Sequence, residues 1–394
     1  MNVKMKSSKL LFIFLFISFF SQQTQIVPIH FQYVTIFFIA ASILHSNKLF
    51  RVNHDAYIIF FLVVTSFSVF ISLDKTLSLV RFVTLSTVVV FLFYIVDFKR
   101  ENIDRLLLIL FFASSVYTFI SFLNIDQLKD YKGEFEGYIG NRYNISALLG
   151  VYFILSFALV IEVKRFGLTL LFIFISLIGL YLIYQSYSRV GFFYIGLYGL
   201  CVASIFFIRL GTFTRVLLSF FVVCLTPFAI IYLVSNDYAA YVNDYAVYAI
   251  ERGMTGRDVI ANVLLEHMQN NMYSVFLGFG PGSLESIAPG ILHRASPRDV
   301  NNIVGVIFEY GVLGLLAFLA LFLRYFYQLY RLSTVEGVSY AYLCIPIPIM
   351  LSVSEVSWLN FNTFPTLIMF LFMSYTSHVY ASTRLNNQKF NSAL

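Results

Sequence analysis

The feature that most constrains this chain is the repeated occurrence of long apolar runs, about twelve in all, each close to the roughly 20 residues that a helix needs to cross a bilayer. Short polar or basic segments separate the runs, as in polytopic helical membrane proteins. We therefore predict an all-α membrane fold of about twelve transmembrane helices, with roughly 10–13 compatible with the run lengths. The predicted spans are 8–24, 27–44, 56–73, 77–97, 104–123, 144–162, 168–185, 190–208, 216–234, 303–326, 339–356 and 364–381.

The composition agrees with this class of protein. Hydrophobic residues make up 59% of the 394 residues and charged residues only 12%, whereas soluble domains are near half apolar and a quarter charged. Lys4, Lys6 and Lys9 precede the first apolar run, as in a secretory signal peptide. No small-x-small cleavage site follows, so we predict that this run is a membrane helix.

The basic residues predict the orientation. If the N-terminus is cytoplasmic, every short cytoplasmic loop is basic and most of the 26 Lys and Arg residues lie on the cytoplasmic side, which predicts that both termini are cytoplasmic. The net charge of +6 therefore reports topology, and no nucleic-acid partner is expected. Three basic residues do not follow this preference for the cytoplasmic side, because they are predicted on the outer side without a long loop. They are Lys75, Arg81 and Arg189, and a functional role would explain their positions.

We predict a single membrane domain, 1–394, with two outer loops, 124–143 and 235–302. The smaller loop ends with Arg142 beside the start of a helix. The larger loop is predicted to contain two short helices and a glycine-rich turn. The first helix, around 236–251, has tyrosines on one face, which either pack against a neighbour or form a platform for sugar rings.

The second helix of the larger loop has Arg257 in its first turn, where a helix N-terminus and a guanidinium together suit an anion. Its apolar stripe includes His267, which we interpret as a packed or interfacial histidine. The sequence VFLGFGPGSL then predicts a turn that backbone can approach closely. That turn is equally well explained as a simple tight loop between two helices.

The end of the larger loop brings charged residues against the next span. Arg294, Arg298 and Asp299 lie just outside it, Asn301 leads into it, and Glu309 is about two turns inside. Ionisable groups within spans are costly and usually face the interior of the bundle. The outer arginines have a simpler explanation as lipid-binding or solvated charges. Because anionic-lipid anchoring is usually argued for the cytoplasmic face, a guanidinium cluster here better suits an anionic ligand such as a diphosphate.

Four segments together resemble the bacterial O-antigen polymerase and O-antigen ligase superfamily. The first segment, GYIGNRYNISALLG, is similar to the family's glycine–Asn segment, and the second, LIYQSYSRVGFFYIGLYG, to its Ser-Arg-Gly segment, although Val190 intervenes. The third, TGRDVIANVLLEHMQNNMYSVFLGFGPGSL, resembles the Gly-Arg helix with its glycine turn. The fourth, NNIVGVIFEYGVLGLLAFL, resembles the terminal motif. Together they cover roughly 135–325.

The resemblance implies a metal-independent enzyme of the bacterial inner membrane. A glycan on undecaprenyl diphosphate would move to a hydroxyl of a new lipid-linked repeat on the periplasmic face, which makes both outer loops periplasmic. Arg189 and Arg257 would contact the diphosphate, with Arg142, Arg298, Arg294 and Asn301 as further binding residues and Asp299 or Glu309 as base. Glu309 has a structural alternative, which is to pair with Arg81, Arg189 or a helix N-terminus. Expected partners are membrane lipid, a chain-length regulator and a flippase, with no cofactor or metal.

One departure separates the alternatives within the superfamily. Ligases use a histidine just before the last helix of the motif, but Val300 occupies that position here and His293 is displaced by seven residues. This favours a polymerase over a ligase. A capsule or exopolysaccharide polymerase fits equally well. A polysaccharide or anion transporter is the alternative from another class, although the two halves of the chain show no detectable repeat.

Overall fold

The computed structural model describes residues 56–209, 257–286, 302–351 and 364–393, together with isolated helical residues between 11 and 43. Within these ranges, residues 73, 97, 131, 132, 140, 141, 189, 270, 271, 334, 336 and 337 are not described. The predicted spans 8–24 and 27–44 therefore lie mostly outside the described residues, and 216–234 lies wholly outside them. The predicted tyrosine helix around 236–251 also lies wholly outside the described residues.

The described residues form helices and no strand. The helices are α1 (Ala56–Ile71), α2 (Lys75–Val90, continued by a π-helical turn, Phe91–Ile95), α3 (Arg100–Leu123), α4 (Arg142–Val163), α5 (Phe166–Gln185), α6 (Val190–Arg209), α7 (Arg257–Gln269), α8 (Met272–Leu277), α9 (Ser283–Ser286), α10 (Asn302–Leu332), α11 (Tyr340–Leu343), α12 (Pro346–Met350) and α13 (Phe364–Ala393). Two short 3₁₀ helices, Ile125–Leu128 and Gly137–Ile139, lie in the loop between α3 and α4.

Five helices in the described part of the chain are long and apolar enough to cross a membrane. They are Lys75–Ile95, Arg100–Leu123, Tyr143–Val163, Phe166–Gln185 and Ile303–Leu332. Shorter apolar helices cover Ala56–Ile71, Val190–Phe206 and Tyr340–Met350. The chain is thus a helical membrane protein, as the sequence predicts.

The run predicted as one span at 339–356 is interrupted. It forms α11 and α12, and Pro346 begins the second of these helices. Proline has no N–H to continue a helical ladder, but it is well suited to the first position of a new helix. The sequence indicates this interruption, because Pro346 and Pro348 lie within the predicted span, and the last residues of that span, 352–356, lie outside the described residues.

Helices α4 and α6 approach each other closely through small residues. The Cα of Gly191 lies 2.9 Å from the position that a Cβ on Gly150 would take, so a side chain at either residue would separate the helices. Small residues permit such close packing in membranes, where helices gain little from the hydrophobic effect. This contact fixes the starts of α4 and α6 side by side.

A polar network closes the opposite end of the bundle. Arg100, at the start of α3, forms a 2.8 Å ion pair with Glu162 near the end of α4. Glu162 also accepts a hydrogen bond from Ser339. The Tyr342 hydroxyl donates to Asp104 at 2.6 Å. Because consecutive spans alternate in direction, the turns at 72–74, 124–141 and 186–189 all lie at the other end, where the predicted site residues are expected.

Candidate functional site

Helix α10 is broken at Gly311, which has φ 68° and ψ −173°. This conformation favours glycine, and it divides the helix into a short first part and a long second part. A break frees carbonyl groups, and because Phe308 and Glu309 are buried, these groups must find donors within the protein. Here Phe279 N–H donates to the Phe308 carbonyl at 2.8 Å and Gly280 N–H donates to the Glu309 carbonyl at 2.9 Å.

The donors come from the glycine turn, which we define as residues 278–282. Gly278, Gly280 and Gly282 all have positive φ, at +74°, +99° and +85°. A Cβ on Gly278 would overlap the backbone of Glu309. One on Gly280 would overlap the side chain of Ser72. The turn and the close backbone approach predicted from the sequence are therefore both confirmed.

The hairpin of α1 and α2 holds the other side of the glycine turn. Ser78 Oγ donates to the Pro281 carbonyl at 2.8 Å and lies 2.6 Å from Ser72 Oγ, with both hydroxyl groups buried. Asp74 caps α2 by accepting from Leu77 N–H at 3.0 Å. Sequence reasoning missed these two serines, although polar residues on both sides of a short turn between apolar runs were the available signal.

Glu309 is only 5% exposed, and its carboxylate is anchored. Its Oε1 accepts from Leu284 N–H at 3.3 Å, in the first turn of α9. The structural alternative expected for Glu309, a bond to a helix N-terminus, is thus observed. Arg81 of α2 also lies beside this segment, because its Cγ is 3.4 Å from the position that a Cβ on Gly282 would take.

A second cluster joins the first two resembling segments. Ser146 Oγ donates to the Ser188 carbonyl at 3.1 Å and accepts from Gly191 N–H at 3.0 Å. These bonds connect the start of α4 to the residues on both sides of position 189. The structure therefore brings the first segment against the second, just as the glycine turn brings the third against the fourth.

The smaller predicted loop packs over this cluster. Phe135 N–H donates to the carbonyl of Gln185 at the end of α5, at 2.9 Å. Partial burial, and secondarily the charge of Asp130, raises the pKa of Glu136 in the same loop. Tyr152 of α4 contacts Phe364 of α13, with ring centroids 5.8 Å apart, and α13 in turn packs on α10. Helix α13 thus links the helices of the two clusters.

Five of the eight predicted site residues fall in parts of the chain that the structure does not describe. Arg189, Arg294, Arg298, Asp299 and Asn301 lie outside the described residues. Arg142 and Arg257 are the first residues of α4 and α7, which gives their backbone positions alone. The clustering of guanidinium groups therefore stays a prediction.

Helix α7 agrees with its sequence pattern. Leu264 and Met268, in its predicted apolar stripe, are buried. His267 is exposed, and its ring lies 5.4 Å from that of Phe279 in the glycine turn. This position fits an interfacial histidine, as predicted.

These features define a class of protein: a helical membrane protein with a broken helix that is braced by a glycine turn. No protein-family model matches the chain, and no curated protein matches it. Within the described part of the chain, no group of three or more His, Cys, Asp or Glu side chains is placed to hold a metal ion.

Proposed function

We propose that this chain is a polysaccharide polymerase of the inner membrane, of the O-antigen type, that acts on glycans linked to undecaprenyl diphosphate. The observation that carries the proposal is the paired packing of the four resembling segments. The third and fourth meet at the bonds from Phe279 and Gly280 to the broken helix, and the first and second meet at Ser146. Each pair of segments thus forms one local structure, and both pairs lie at the same end of the bundle.

The depth of the broken helix supports chemistry at the membrane surface. Gly280 packs on Ser72, which lies in the short turn between α1 and α2, and it also bonds to Glu309. A turn between two spans lies near the surface, so the break in α10 lies near that surface as well. The diphosphate of a lipid-linked sugar occupies the same level, while its polyprenyl tail remains in the bilayer.

The reaction is a transfer at the anomeric carbon. The bond from that carbon to the diphosphate oxygen breaks, a bond to the acceptor hydroxyl forms, the hydroxyl proton passes to a base, and lipid diphosphate leaves. Arg189 and Arg257 stabilise the charge that develops on the leaving group, without a metal. Arg142, Arg294, Arg298 and Asn301 are further candidates for binding the substrate.

The base is Asp299 or Glu309. The bonds that Glu309 makes favour a positioning role for it. Its carboxylate fixes α9, and its carbonyl fixes the glycine turn. This arrangement leaves Asp299, which lies two residues before the fourth segment, as the stronger candidate for proton transfer.

A transporter is the second candidate, because a discontinuous helix is typical of transporters. In those proteins the break lies near the bilayer midplane, whereas here it is level with the α1–α2 turn. A ligase or a capsule polymerase would differ from our proposal in acceptor and product. A chain-length regulator and a flippase are the expected partners.

The test is complementation of a deletion strain of the native host, read from a gel of surface polysaccharide. We expect deletion to remove the polymer ladder while single repeats persist on the lipid core. Arg189→Ala and Arg257→Ala should each fail to restore the ladder, although the proteins accumulate. The matched control is Arg165→Ala, an exposed arginine in the α4–α5 turn at the opposite end, which should restore it fully.

Three outcomes would contradict the proposal. A lipid core without any repeat, with polymer accumulating on the lipid carrier, would identify a ligase. Repeats trapped on the cytoplasmic side would identify a transporter. A full ladder with both arginine variants would remove those residues from the site.

A further inference from the structure

Helix α8 has an apolar face that is largely exposed. Met272 and Tyr273 are each 72% exposed and Phe276 is 50% exposed, while Ser274 on another side of the helix is buried. Isolated exposed apolar residues are ordinary, but a one-and-a-half-turn helix with three of them has a surface that water does not favour. None of its six residues, MYSVFL, is charged.

The backbone of α8 is held rigidly. A Cβ on Gly311 would overlap the Phe276 carbonyl, so the helix lies directly on the break in α10. Ser274 accepts through its carbonyl from Gly278 N–H at 2.8 Å, which connects α8 to the glycine turn. The exposed face therefore has a fixed position, beside the surface-level turn between α1 and α2.

The neighbouring surfaces are those of membrane-spanning helices. Helix α8 packs on α1 and α10. The last turns of α1 expose Phe67 and Phe70, and the second part of α10 exposes Leu316. The face of α8 thus lies beside helices that themselves expose apolar side chains suited to lipid.

We propose that α8 is an interfacial helix whose Met272, Tyr273 and Phe276 side chains enter the outer edge of the lipid bilayer. Tyrosine suits this level, because its ring is apolar and its hydroxyl is polar. A protein partner is a poorer occupant, since three side chains offer far less than the roughly 800 Å² per partner of a stable interface. The inference is independent of the proposed enzymatic activity.

Fluorescence of a single tryptophan tests this proposal without any activity assay. The chain has one tryptophan, Trp358. Tyr273→Trp is introduced into the Trp358→Phe protein, which is reconstituted into phosphatidylcholine vesicles brominated at shallow or deep acyl positions. We expect shallow bromines to quench at least twofold more than deep ones, and aqueous iodide to quench weakly.

Phe174→Trp in the same background is the matched control, because Phe174 is exposed near the middle of the membrane-spanning helix α5. Deep bromines should quench it more than shallow ones. Phe276→Trp provides a second reporter on α8, and Trp358→Tyr replaces the background if Trp358→Phe fails to fold. Strong iodide quenching of the tryptophans at 273 and 276 would overturn the proposal, because it would show that this face meets water. Protection from both the bromines and iodide would also overturn it, because it would show that protein covers this face.

Discussion

At the residue scale, the most informative side chain is that of Glu309. A carboxylate within an apolar run signals either chemistry or a structural bond, and sequence alone leaves both open. The structure supplies the bond, through Leu284 N–H. It also explains the role of Gly311, two residues further along, because Gly311 permits the break that leaves the Glu309 carbonyl available to the glycine turn.

Substitution of Glu309 separates the two roles. Glu309→Gln retains a side-chain oxygen that accepts from Leu284 N–H, so we expect near-native thermal stability in detergent and substantial polymer formation. Glu309→Ala leaves that N–H without its partner, at a cost of about 1–3 kcal/mol, and should lower the apparent Tm. A glutamine variant with unchanged Tm and no polymer would instead identify Glu309 as the base.

Ser78 provides a second test at this scale. Ser78→Ala removes the donor to the Pro281 carbonyl and the contact with Ser72, so we expect a loss of about 1 kcal/mol and a lower apparent Tm. Ser86→Ala on the same helix is the matched control. Its hydroxyl bonds only within the helix, to the Val83 carbonyl, and its removal should leave Tm unchanged. Equal effects of the two substitutions would contradict the bracing role of Ser78.

At the scale of elements, the sequence predicts well what depends on local patterns. Apolar runs predicted the long spans, and the glycine spacing predicted the turn at 278–282. The break in α10 was not predictable, because GVIFEYGVLGLLAFL reads as a continuous apolar helix and glycine is common in membrane helices. The break depends on donors that arrive from a segment about 30 residues earlier in the sequence.

The packing of the glycine turn on Ser72 and Ser78 could not be predicted from the sequence either, because it joins residues about 200 positions apart. The paired contact of α4 and α6 was indicated only by their glycines. The candidate site could be predicted as a set of residue types at one end of the bundle. Its contacts could not, since side-chain partners across a bundle leave no local periodicity.

The broken helix itself is testable by substitution of Gly311. Gly311→Ala places a Cβ against the Phe276 backbone at positive φ, so we expect a loss of more than about 2 kcal/mol and little folded protein. Gly199→Ala in α6 is the control, because nothing lies within 4 Å of the added methyl group and alanine favours a helix. Its Tm should be unchanged or higher, as measured by size-exclusion chromatography of heated samples.

At the scale of the whole molecule, alternation of the spans separates two polar ends. The Arg100–Glu162 network closes one end, and the glycine turn and the smaller loop occupy the other. Charge distribution predicts that the network end is cytoplasmic. This orientation remains a prediction.

Cysteine labelling tests the orientation. In a protein with Cys201, Cys224 and Cys344 replaced by alanine, Asp126→Cys lies in the smaller loop and Arg165→Cys in the α4–α5 turn. In cells with a permeabilised outer membrane, an impermeant maleimide should label the cysteine at 126 and not the one at 165. Lysis should make both reactive, and the reverse pattern in whole cells would invert the topology.

The bond between Ser78 and Pro281 also has a consequence for the order of events during translation and membrane insertion. Its two residues are 203 positions apart. At roughly 5–20 residues per second, the ribosome needs on the order of 10–40 s to pass from one to the other. Throughout that interval the α1–α2 hairpin is already in the bilayer without α10, so its buried face, including Phe61 and Ser68, depends on lipid or on the insertion machinery. Completion of this site is therefore a late event in the synthesis and membrane insertion of the protein.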